Sequence, residues 1–301
     1  MLSKKIMILL DAPFLNLQAL LDGLMVGAIF AFVAYGMALV WGVMNIINIV
    51  QGEFVILGGY ITFAFFKMGF SPFVGIPFSF LFLFCLGFLI YRTIIFRVVD
   101  KDMFISILAT FGISIVIQQI MNIAFGSQVE TANSGLGTSF LFDGNITLSH
   151  IKIFSFIVCL LGAASVIYFM KTSKLGRAIR ATAQNARAAR ILGVDTEKVY
   201  CYTYAINAGI CGLAGSLVAM TYTLHPYIGL PYTVRSFMIV IVAGLGNFPA
   251  VLLSGLGLGT IEEFSAYTLG QEYRIGFVFL LLVLILVYRS RVLAKKREYL
   301  K

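Results

Sequence analysis

The sequence predicts an all-α fold, a polytopic transmembrane helical bundle of about eight segments, two of them discontinuous or re-entrant. The first observation behind this prediction is composition, because 60% of the 301 residues are hydrophobic and only 12% are charged. Soluble domains are about 45–50% apolar and about 25% charged. The second observation is a series of apolar runs that approach the roughly 20 residues a helix needs to cross a bilayer. We therefore expect an integral membrane protein.

The apolar runs follow one another along the chain and indicate a single transmembrane domain, residues 1–301. They lie at about 17–41, 49–66, 73–96, 103–125, 151–170, 199–223, 234–269 and 273–288. A Gly/Pro cluster interrupts the seventh run. Lys4 and Lys5 give the chain a basic start, but the short apolar run after them stops at Asp11 and Pro13 without an A-x-A pattern. No cleaved signal peptide is expected.

Positive charge is clustered in a way that is typical of membrane proteins. Most of the 22 Lys and Arg residues lie in residues 4–5, 92–101, 171–198 and 289–301, and the net charge is +9. The positive-inside rule places these clusters on the cytoplasmic side and the loop 126–150, which has no Lys or Arg, outside. This distribution does not resemble a nucleic-acid-binding face.

The charge pattern also constrains the topology. If both termini are inside, the segments 41–66 and 234–269 cannot both be ordinary single crossings, because the basic loops would fall on the wrong side. Either each is a re-entrant or discontinuous element, or the N-terminus is outside. Each segment has a polar, Gly-containing break followed by a Gly-rich apolar run. We interpret the two segments as weakly related internal repeats.

The breaks supply candidates for a substrate route. Irregular backbone survives in hydrocarbon only where protein or a water-filled cavity surrounds it, and paired broken helices in two halves of a transporter point to its substrate site. The candidates are Asn48, Gln51, Gly52, Glu53, Gly58, Gly59, Gly244, Gly246 and Asn247. In the alternative, the glycines only allow close helix packing, while Asn48 and Gln51 bond across a helix pair. Glu53 and Glu262 are ionisable at membrane depth, which makes them functional candidates unless they cap a half-helix.

The long basic connection, residues 171–198, reads KTSKLGRAIRATAQNARAARILGVDTEK. Its Ala- and Arg-rich middle predicts one or two short helices at the cytoplasmic surface. Gly193 is expected to end this helical stretch, since Gly is the usual helix terminator. Such a surface either docks a cytoplasmic partner or anchors the chain to lipid headgroups.

Three separated stretches, in the same order and spacing, resemble the branched-chain amino acid ABC transporter permease family, specifically its LivH-type subunits. They are GLMVGAIFAFVAYGMALVWGVMNIINIVQGEFVILGGY, KLGRAIRATAQNARAARILGV and AGLGNFPAVLLSGLGLGTIEE. The resemblance covers about residues 17–270. It implies a multi-pass permease subunit in the bacterial cytoplasmic (inner) membrane. It further implies that this subunit provides the path of an ATP-driven, binding-protein-dependent importer for branched-chain, hydrophobic amino acids.

The family's motifs fall on particular positions of this chain. Its Asn-x-x-His-Gly-Glu motif falls on Asn48, Gln51, Gly52 and Glu53, so Gln51 stands where His is usual. The resemblance implies an ATPase coupling loop within 171–198. Its residues are Gly176, Arg177, Arg180, Ala188, Ala189, Leu192 and Gly193.

Other departures from the family pattern accompany Gln51. Ala243 and Asn247 stand for Gly and Ser, and Arg187 stands where the loop usually has Glu. Gln51 bears on the choice of substrate, and Arg187 bears on how the ATPase docks.

The resemblance also implies partners. These are two ABC ATPase subunits, a second permease subunit that is usually a different chain, a soluble extracytoplasmic substrate-binding protein and membrane lipid. The sequence contains no G-x-x-x-x-G-K-[ST] motif, so ATP and Mg are expected on the partner ATPases and no cofactor on this chain. No catalytic constellation stands out, so no enzyme is expected. The four cysteines lack CxxC spacing and the two histidines are single, so no metal site is expected either.

Other readings remain open from the sequence. An importer of the same family for urea, short amides or another small solute would show the same motifs. A secondary transporter driven by an ion gradient also uses broken helices, but it does not need the docking loop and its transport persists without ATP. A channel likewise requires no ATPase partners. A homodimeric permease core is the alternative to two different chains.

Overall fold

The computed structural model describes residues 13–99, 101–142 and 144–298. The predictions for the basic start and for the absence of a signal peptide concern residues 1–12, which lie outside the described residues. The described chain is predominantly helical, which confirms the predicted all-α class, whereas the count of about eight membrane segments stays a prediction. Its buried apolar side chains form a contiguous core.

Eleven α-helices and one β-hairpin follow one another along the described residues. In chain order they are α1 (Pro13–Met44), α2 (Gln51–Lys67), α3 (Pro72–Thr93), α4 (Met103–Phe125), β1 (Thr138–Leu141), β2 (Ile146–Ser149), α5 (His150–Thr172), α6 (Lys174–Gln184), α7 (Ala186–Ile191), α8 (Thr196–Thr221), α9 (Gly229–Ala243), α10 (Phe248–Leu269) and α11 (Arg274–Glu298). A single 3₁₀ turn, Ile95–Arg97, follows α3, and another, Gln271–Tyr273, precedes α11. Helices α1, α3, α4, α5 and α8 are long and apolar enough to cross a membrane.

The bundle has two ends, which we call the hairpin end and the basic end. At the hairpin end the antiparallel strands β1 and β2 lie beside the start of α1, where Gln18 Nε2 donates to the Thr147 carbonyl (3.0 Å). Asp22 of α1 pairs there with Lys152 of α5 at 2.6 Å. The basic end carries α6, α7 and the cations of 171–198. Helix α1 therefore starts at the end opposite the basic loop.

Helix α1 packs closely on α10 because small residues face each other along the crossing. Gly23, Gly27 and Ala31 lie against Gly255 and Gly259, and a Cβ added at Gly27 would be 2.7 Å from the Gly255 carbonyl oxygen. Small faces of this kind let membrane helices approach until their backbones touch. The crossing positions the outer part of α1 directly against α10.

Helix α8 packs on α3 in the same way. A Cβ added at Gly87 would lie 2.6 Å from the Ala208 Cβ, and one added at Gly212 would lie 2.5 Å from the Ser79 carbonyl oxygen. The apolar cores of α1 and α8 are almost entirely buried, whereas most residues of α4 and α5 are exposed or half-buried. We call α1 and α8 the central helices.

The helices α8–α11 repeat the arrangement of α1–α4, but each helix runs in the direction opposite to that of its counterpart. In each set a long central helix is followed by a non-helical link and a shorter helix, 45–50 before α2 and 222–228 before α9. The interpretation that paired the break at 45–50 with 244–247 is therefore wrong. Residues 244–247 form a turn at the basic end, and the run 234–269 consists of parts of two separate helices, α9 and α10. Inverted repeats of this kind are common in transporters.

The close crossing of α1 and α10 gives a prediction with a control on the same helix. In Gly259→Leu the new Cβ would overlap the backbone of Gly27, so we expect loss of monodisperse protein or a lower thermal unfolding midpoint in detergent. Gly257→Leu adds the same side chain where nothing lies within 4 Å, and it is expected to behave like the parent protein. Equal melting of the two variants would contradict the crossing.

Candidate functional site

The first turn of α2 lies inside the bundle rather than at its surface. The chain leaves α1 at the basic end, turns at Asn45, whose φ of 52° lies in the left-handed region that Asn tolerates, and then runs inward. At the start of α2, Gln51 Nε2 donates to the carbonyl of Val33, which belongs to an interior turn of α1 (2.9 Å). Helix α2, which has 17 residues, therefore begins inside the bundle, level with an interior turn of α1.

Side-chain hydroxyls satisfy the backbone where the chain is not helical. The Ile49 N–H donates to Thr110 Oγ1 of α4 (3.3 Å). The Gly52 N–H donates to Thr233 Oγ1 of α9 (2.8 Å), and the Thr233 hydroxyl in turn donates to the Ile49 carbonyl (3.0 Å). We call this meeting point, Asn48–Glu53 with Gly229–Thr233, the junction. Its hydrogen bonds allow a broken helix to exist at this depth, since unpaired backbone groups in hydrocarbon cost several kcal/mol each.

Amide side chains connect the junction to the central helices. Asn48 Nδ2 donates to Gln51 Oε1 (3.3 Å), and the Tyr204 hydroxyl of α8 donates to Asn48 Oδ1 (3.2 Å). All three side chains are fully buried. Asn48 and Gln51 thus bond across neighbouring helices, as the packing alternative expects, and their place on a substrate route stays a prediction.

Glu53 lies between the N-termini of α2 and α9. It is 2% exposed, and its Oε2 has no hydrogen-bond partner among the described residues. Its carboxylate rests against Gly229, the first residue of α9, where an added Cβ would overlap it. An added Cβ on Gly52 would likewise overlap the Gly229 carbonyl oxygen. The positive ends of two helix dipoles therefore meet with one carboxylate between them; the dipoles favour its negative charge, whereas its burial opposes it.

The other glycines of the first break lie further along α2 and face α8. A Cβ added at Gly58 would be 2.6 Å from the Gly212 Cα, and one added at Gly59 would be 3.0 Å from the Gly215 carbonyl oxygen. These positions permit close packing of α2 on α8, on the hairpin side of the junction.

The structure does not bring the candidates of the second break to the junction. Gly244 and Gly246 form the turn between α9 and α10 at the basic end, where their φ angles of 82° and 84° favour glycine. Asn247 is exposed and caps α10, because its Oδ1 accepts from the Ala250 N–H (3.3 Å). A route through both groups of residues would have to extend from the junction to this end of the bundle.

The predicted surface helices of 171–198 are present as α6 and α7. Ser173 caps α6 by accepting from the Gly176 N–H (2.8 Å), and Asn185 caps α7 by accepting from the Ala188 N–H (2.9 Å). Gly176 is buried because it sits on the last backbone turn of α5, beside the carbonyl oxygen of Phe169. Helix α6 thus sits directly on the end of α5.

The residues of the predicted coupling loop divide into two groups. Arg177, Ala188, Leu192 and Gly193 are exposed, and Leu192 is 84% exposed. Ala189 is buried, and it faces the bundle. The neighbouring Ile191 is 81% exposed, so α7 ends in two apolar side chains without cover. Arg180 is also exposed, but it lines a cavity between α6 and the ends of α1 and α5.

A buried ion network near the hairpin end was not predicted. Arg235 of α9 makes a two-point contact with Glu262 of α10 (2.7 and 2.9 Å), and Arg274 at the start of α11 donates to Glu262 (2.8 Å) and to Glu263. The Arg235 guanidinium also lies 4.8 Å from the centre of the Phe30 ring. Glu262 is therefore already paired with two cations. The sequence indicated this network only through charged residues inside apolar runs, and this pattern identified Glu262 but not its partners.

Among the described residues, no group of three or more His, Cys, Asp and Glu side chains is placed to hold a metal ion. The four cysteines are free thiols, three of them buried. The polar features of the described bundle are thus the junction, the surface helices and the ion network.

Comparison with known proteins identifies the family. The family model described as branched-chain amino acid transport system / permease component matches residues 19–287. The chain belongs to this family. It is accordingly a multi-pass membrane protein and a transport subunit rather than an enzyme, and the match confirms the resemblance stated from the three motifs.

Individual relatives match nearly the full length. The chain is 29% identical over 287 residues to the high-affinity branched-chain amino acid transport system permease protein BraD of Pseudomonas aeruginosa, covering 91% of this chain and 94% of the relative. It is 29% identical over 294 residues to the corresponding permease LivH of Escherichia coli K12, covering 90% and 92%. A probable LivH of Methanocaldococcus jannaschii is 27% identical over 258 residues, covering 81% and 79%. Comparison with solved structures gave no match.

The ion network predicts a measurable effect on stability. Arg235→Gln leaves the fully buried Glu262 with Arg274 as its remaining cation and removes at least one charge-assisted hydrogen bond, worth about 1.5–3 kcal/mol. We expect a clearly lower thermal unfolding midpoint in detergent. Lys198→Gln breaks the exposed pair with Asp195 and should leave the midpoint unchanged. The network would be unimportant if both variants melted like the parent.

Proposed function

We propose that this chain is the membrane-spanning permease subunit of an ATP-driven importer for branched-chain amino acids, located in a bacterial cytoplasmic membrane. The observation that carries the proposal is the family match over residues 19–287. The relatives from Pseudomonas and Escherichia are both named as permeases of high-affinity branched-chain amino acid transport systems. The basic end faces the cytoplasm, because Lys/Arg-rich loops are retained on that side.

Helices α6 and α7 are the docking element for an ABC ATPase. They project at the basic end, they carry exposed cations, and α7 ends in the uncovered pair Ile191 and Leu192. The complex contains two ATPase subunits, one for each permease chain. They bind ATP and Mg, because this chain has no phosphate-binding loop.

Helix α8 transmits movement from the docking element to the junction. At its start, Thr196 Oγ1 accepts from Arg190 Nη2 of α7 (3.0 Å), and in its interior Tyr204 donates to Asn48. When the ATPases close on ATP, displacement of α7 shifts α8 and parts the first turns of α2 and α9. The resulting opening alternates between the two sides of the membrane, which is the usual behaviour of broken helices around a fixed site.

The junction suits a zwitterionic amino acid. The N-termini of α2 and α9 favour the substrate carboxylate, and the Glu53 carboxylate favours its ammonium group. Buried apolar side chains around it, such as Phe54 and Ile46, complement a branched aliphatic side chain. Binding here is modest, and selectivity rests mainly on the soluble binding protein.

The hairpin end provides the outer docking surface. The loop 126–150 has no Lys or Arg, and its hairpin exposes Phe140 and Leu141. A soluble extracytoplasmic binding protein docks on this end, and a second permease, a different chain, completes the path.

The proposal is tested by purifying the tagged chain gently from its native membrane and identifying the retained proteins. We expect P-loop ATPases and a second permease, and uptake of branched-chain amino acids into vesicles that requires ATP. A chain that is isolated alone and transports in ATP-free vesicles under an ion gradient would instead be a secondary transporter. Retention of a binding protein that selects urea or short amides would change the substrate but not the class.

Matched variants test the docking surface within the same purification. Burying an Ile or Leu side chain is worth about 1.5–3 kcal/mol. Ile191→Ser with Leu192→Ser is therefore expected to reduce ATPase retention at least about tenfold. The control is Met103→Ser with Phe104→Ser, which removes two exposed apolar side chains from α4 at the same end. Normal ATPase retention by the α7 variant would contradict docking through this pair.

A further inference from the structure

A cavity of about 740 Å³ opens at the basic end, beneath the docking element. It lies between the last turns of α1 and α5, helix α6 and the turn that joins α9 to α10. The cavity is separate from the junction, whose residues do not line it. It therefore lies where the membrane-spanning helices meet the cytoplasmic surface.

The deep wall of the cavity is apolar. Trp41 and Phe248 line it from α1 and α10, and Ile167 lines it from α5. Trp41 is held in place by stacking on Phe237 of α9, with ring centres 4.7 Å apart. Helix α5, which contributes Ile167 to this wall, also exposes Leu161 and Tyr168, as expected of a helix that borders lipid.

The rim of the cavity is cationic. Lys171, at the end of α5, and Arg180, on α6, both line it and both are exposed. Within the part of the chain that the structure describes, neither forms an ion pair and no Asp or Glu lines the cavity. Two uncompensated cations above an apolar wall favour a ligand with an anionic head and an apolar tail.

We propose that this cavity binds an anionic phospholipid of the cytoplasmic leaflet, with its phosphate between Lys171 and Arg180 and its acyl chain along Trp41. Basic pockets between membrane helices on the cytoplasmic side are suited to such headgroups. A free phosphate would use the rim but leave the apolar wall uncovered. The lipid would bridge α6 to the α9–α10 turn, so it would stiffen the docking element. This inference takes the orientation of the basic end from the proposed function, but its test does not involve transport.

Trp41 is the only tryptophan of the chain, so its fluorescence reports the cavity directly. The full chain is reconstituted in phosphatidylcholine vesicles that contain an equal, small fraction of brominated phosphatidylglycerol or brominated phosphatidylcholine. Brominated chains quench tryptophan on contact. Because a cation near the membrane surface attracts anionic lipid with about 1 kcal/mol, we expect the two cations to enrich phosphatidylglycerol at the cavity about thirtyfold. Trp41 should be quenched much more by brominated phosphatidylglycerol.

Charge-matched variants separate the cavity from the general charge of the surface. Lys171→Gln with Arg180→Gln should abolish the preference for phosphatidylglycerol. Lys174→Gln with Arg187→Gln removes the same amount of charge from exposed positions outside the cavity lining, and this variant should retain the preference for phosphatidylglycerol. Unchanged Trp41 emission without brominated lipid shows that each variant is folded.

Three results would overturn the proposal. Equal quenching by the two brominated lipids in the parent protein would show that the cavity has no preference for anionic lipid. Equal loss of preference in both double variants would show a bulk charge effect. Relief of quenching by inorganic phosphate at millimolar concentration would identify the site as one for free phosphate. Each of these leaves the importer proposal untouched.

Discussion

The structure depends on how the backbone of the junction is hydrogen-bonded at membrane depth. A helix that starts inside a bilayer exposes unpaired N–H groups, and each costs several kcal/mol in hydrocarbon. Here the hydroxyls of Thr110 and Thr233 accept hydrogen bonds from backbone N–H groups at the break. The carboxylate of Glu53 faces the positive end of α9. Because these partners belong to α4 and α9, the break fixes where those helices lie. The absence of a side chain at Gly52 and Gly229 then lets the two helix ends meet.

The central helices connect this polar interior to the basic end of the bundle. Helix α8 touches α7 through Thr196 and the junction through Tyr204, so one element spans the distance from the proposed docking surface to the proposed substrate site. The small-residue crossings of α1 on α10 and of α8 on α3 tie each central helix to a partner from the other repeat. Movement of α8 relative to α1 would therefore act on both repeats together. This arrangement supports the proposal that ATP-driven displacement of α7 opens the junction.

Sequence alone predicted the features that depend on local patterns. The lengths of the apolar runs predicted the helical bundle, and the polar residues around Asn48 predicted the first break. The Ala- and Arg-rich stretch predicted α6 and α7. The sequence analysis missed that α9 also begins inside the bundle, at Gly229. The residues before it have the composition of an ordinary loop, and their depth becomes evident only from the contact between Gly229 and Gly52. The partners of Glu262 were missed for a similar reason, since Arg235 lies 27 residues away along the chain. Such pairings depend on how helices pack, which local periodicity does not specify.

Cross-linking the junction tests most directly whether it must open. Thr233 Oγ1 lies 3.0 Å from the Ile49 carbonyl oxygen, so Ile49→Cys with Thr233→Cys introduces thiols on two segments that touch at the junction, within reach of a short bifunctional reagent. In the assembled importer, with the four native cysteines replaced, ATP-driven uptake would be measured before oxidation, after oxidation or short bifunctional coupling, and after reduction. The account predicts that joining the two residues stops uptake and that reducing the disulfide restores it. Full uptake by a demonstrably cross-linked permease would contradict it.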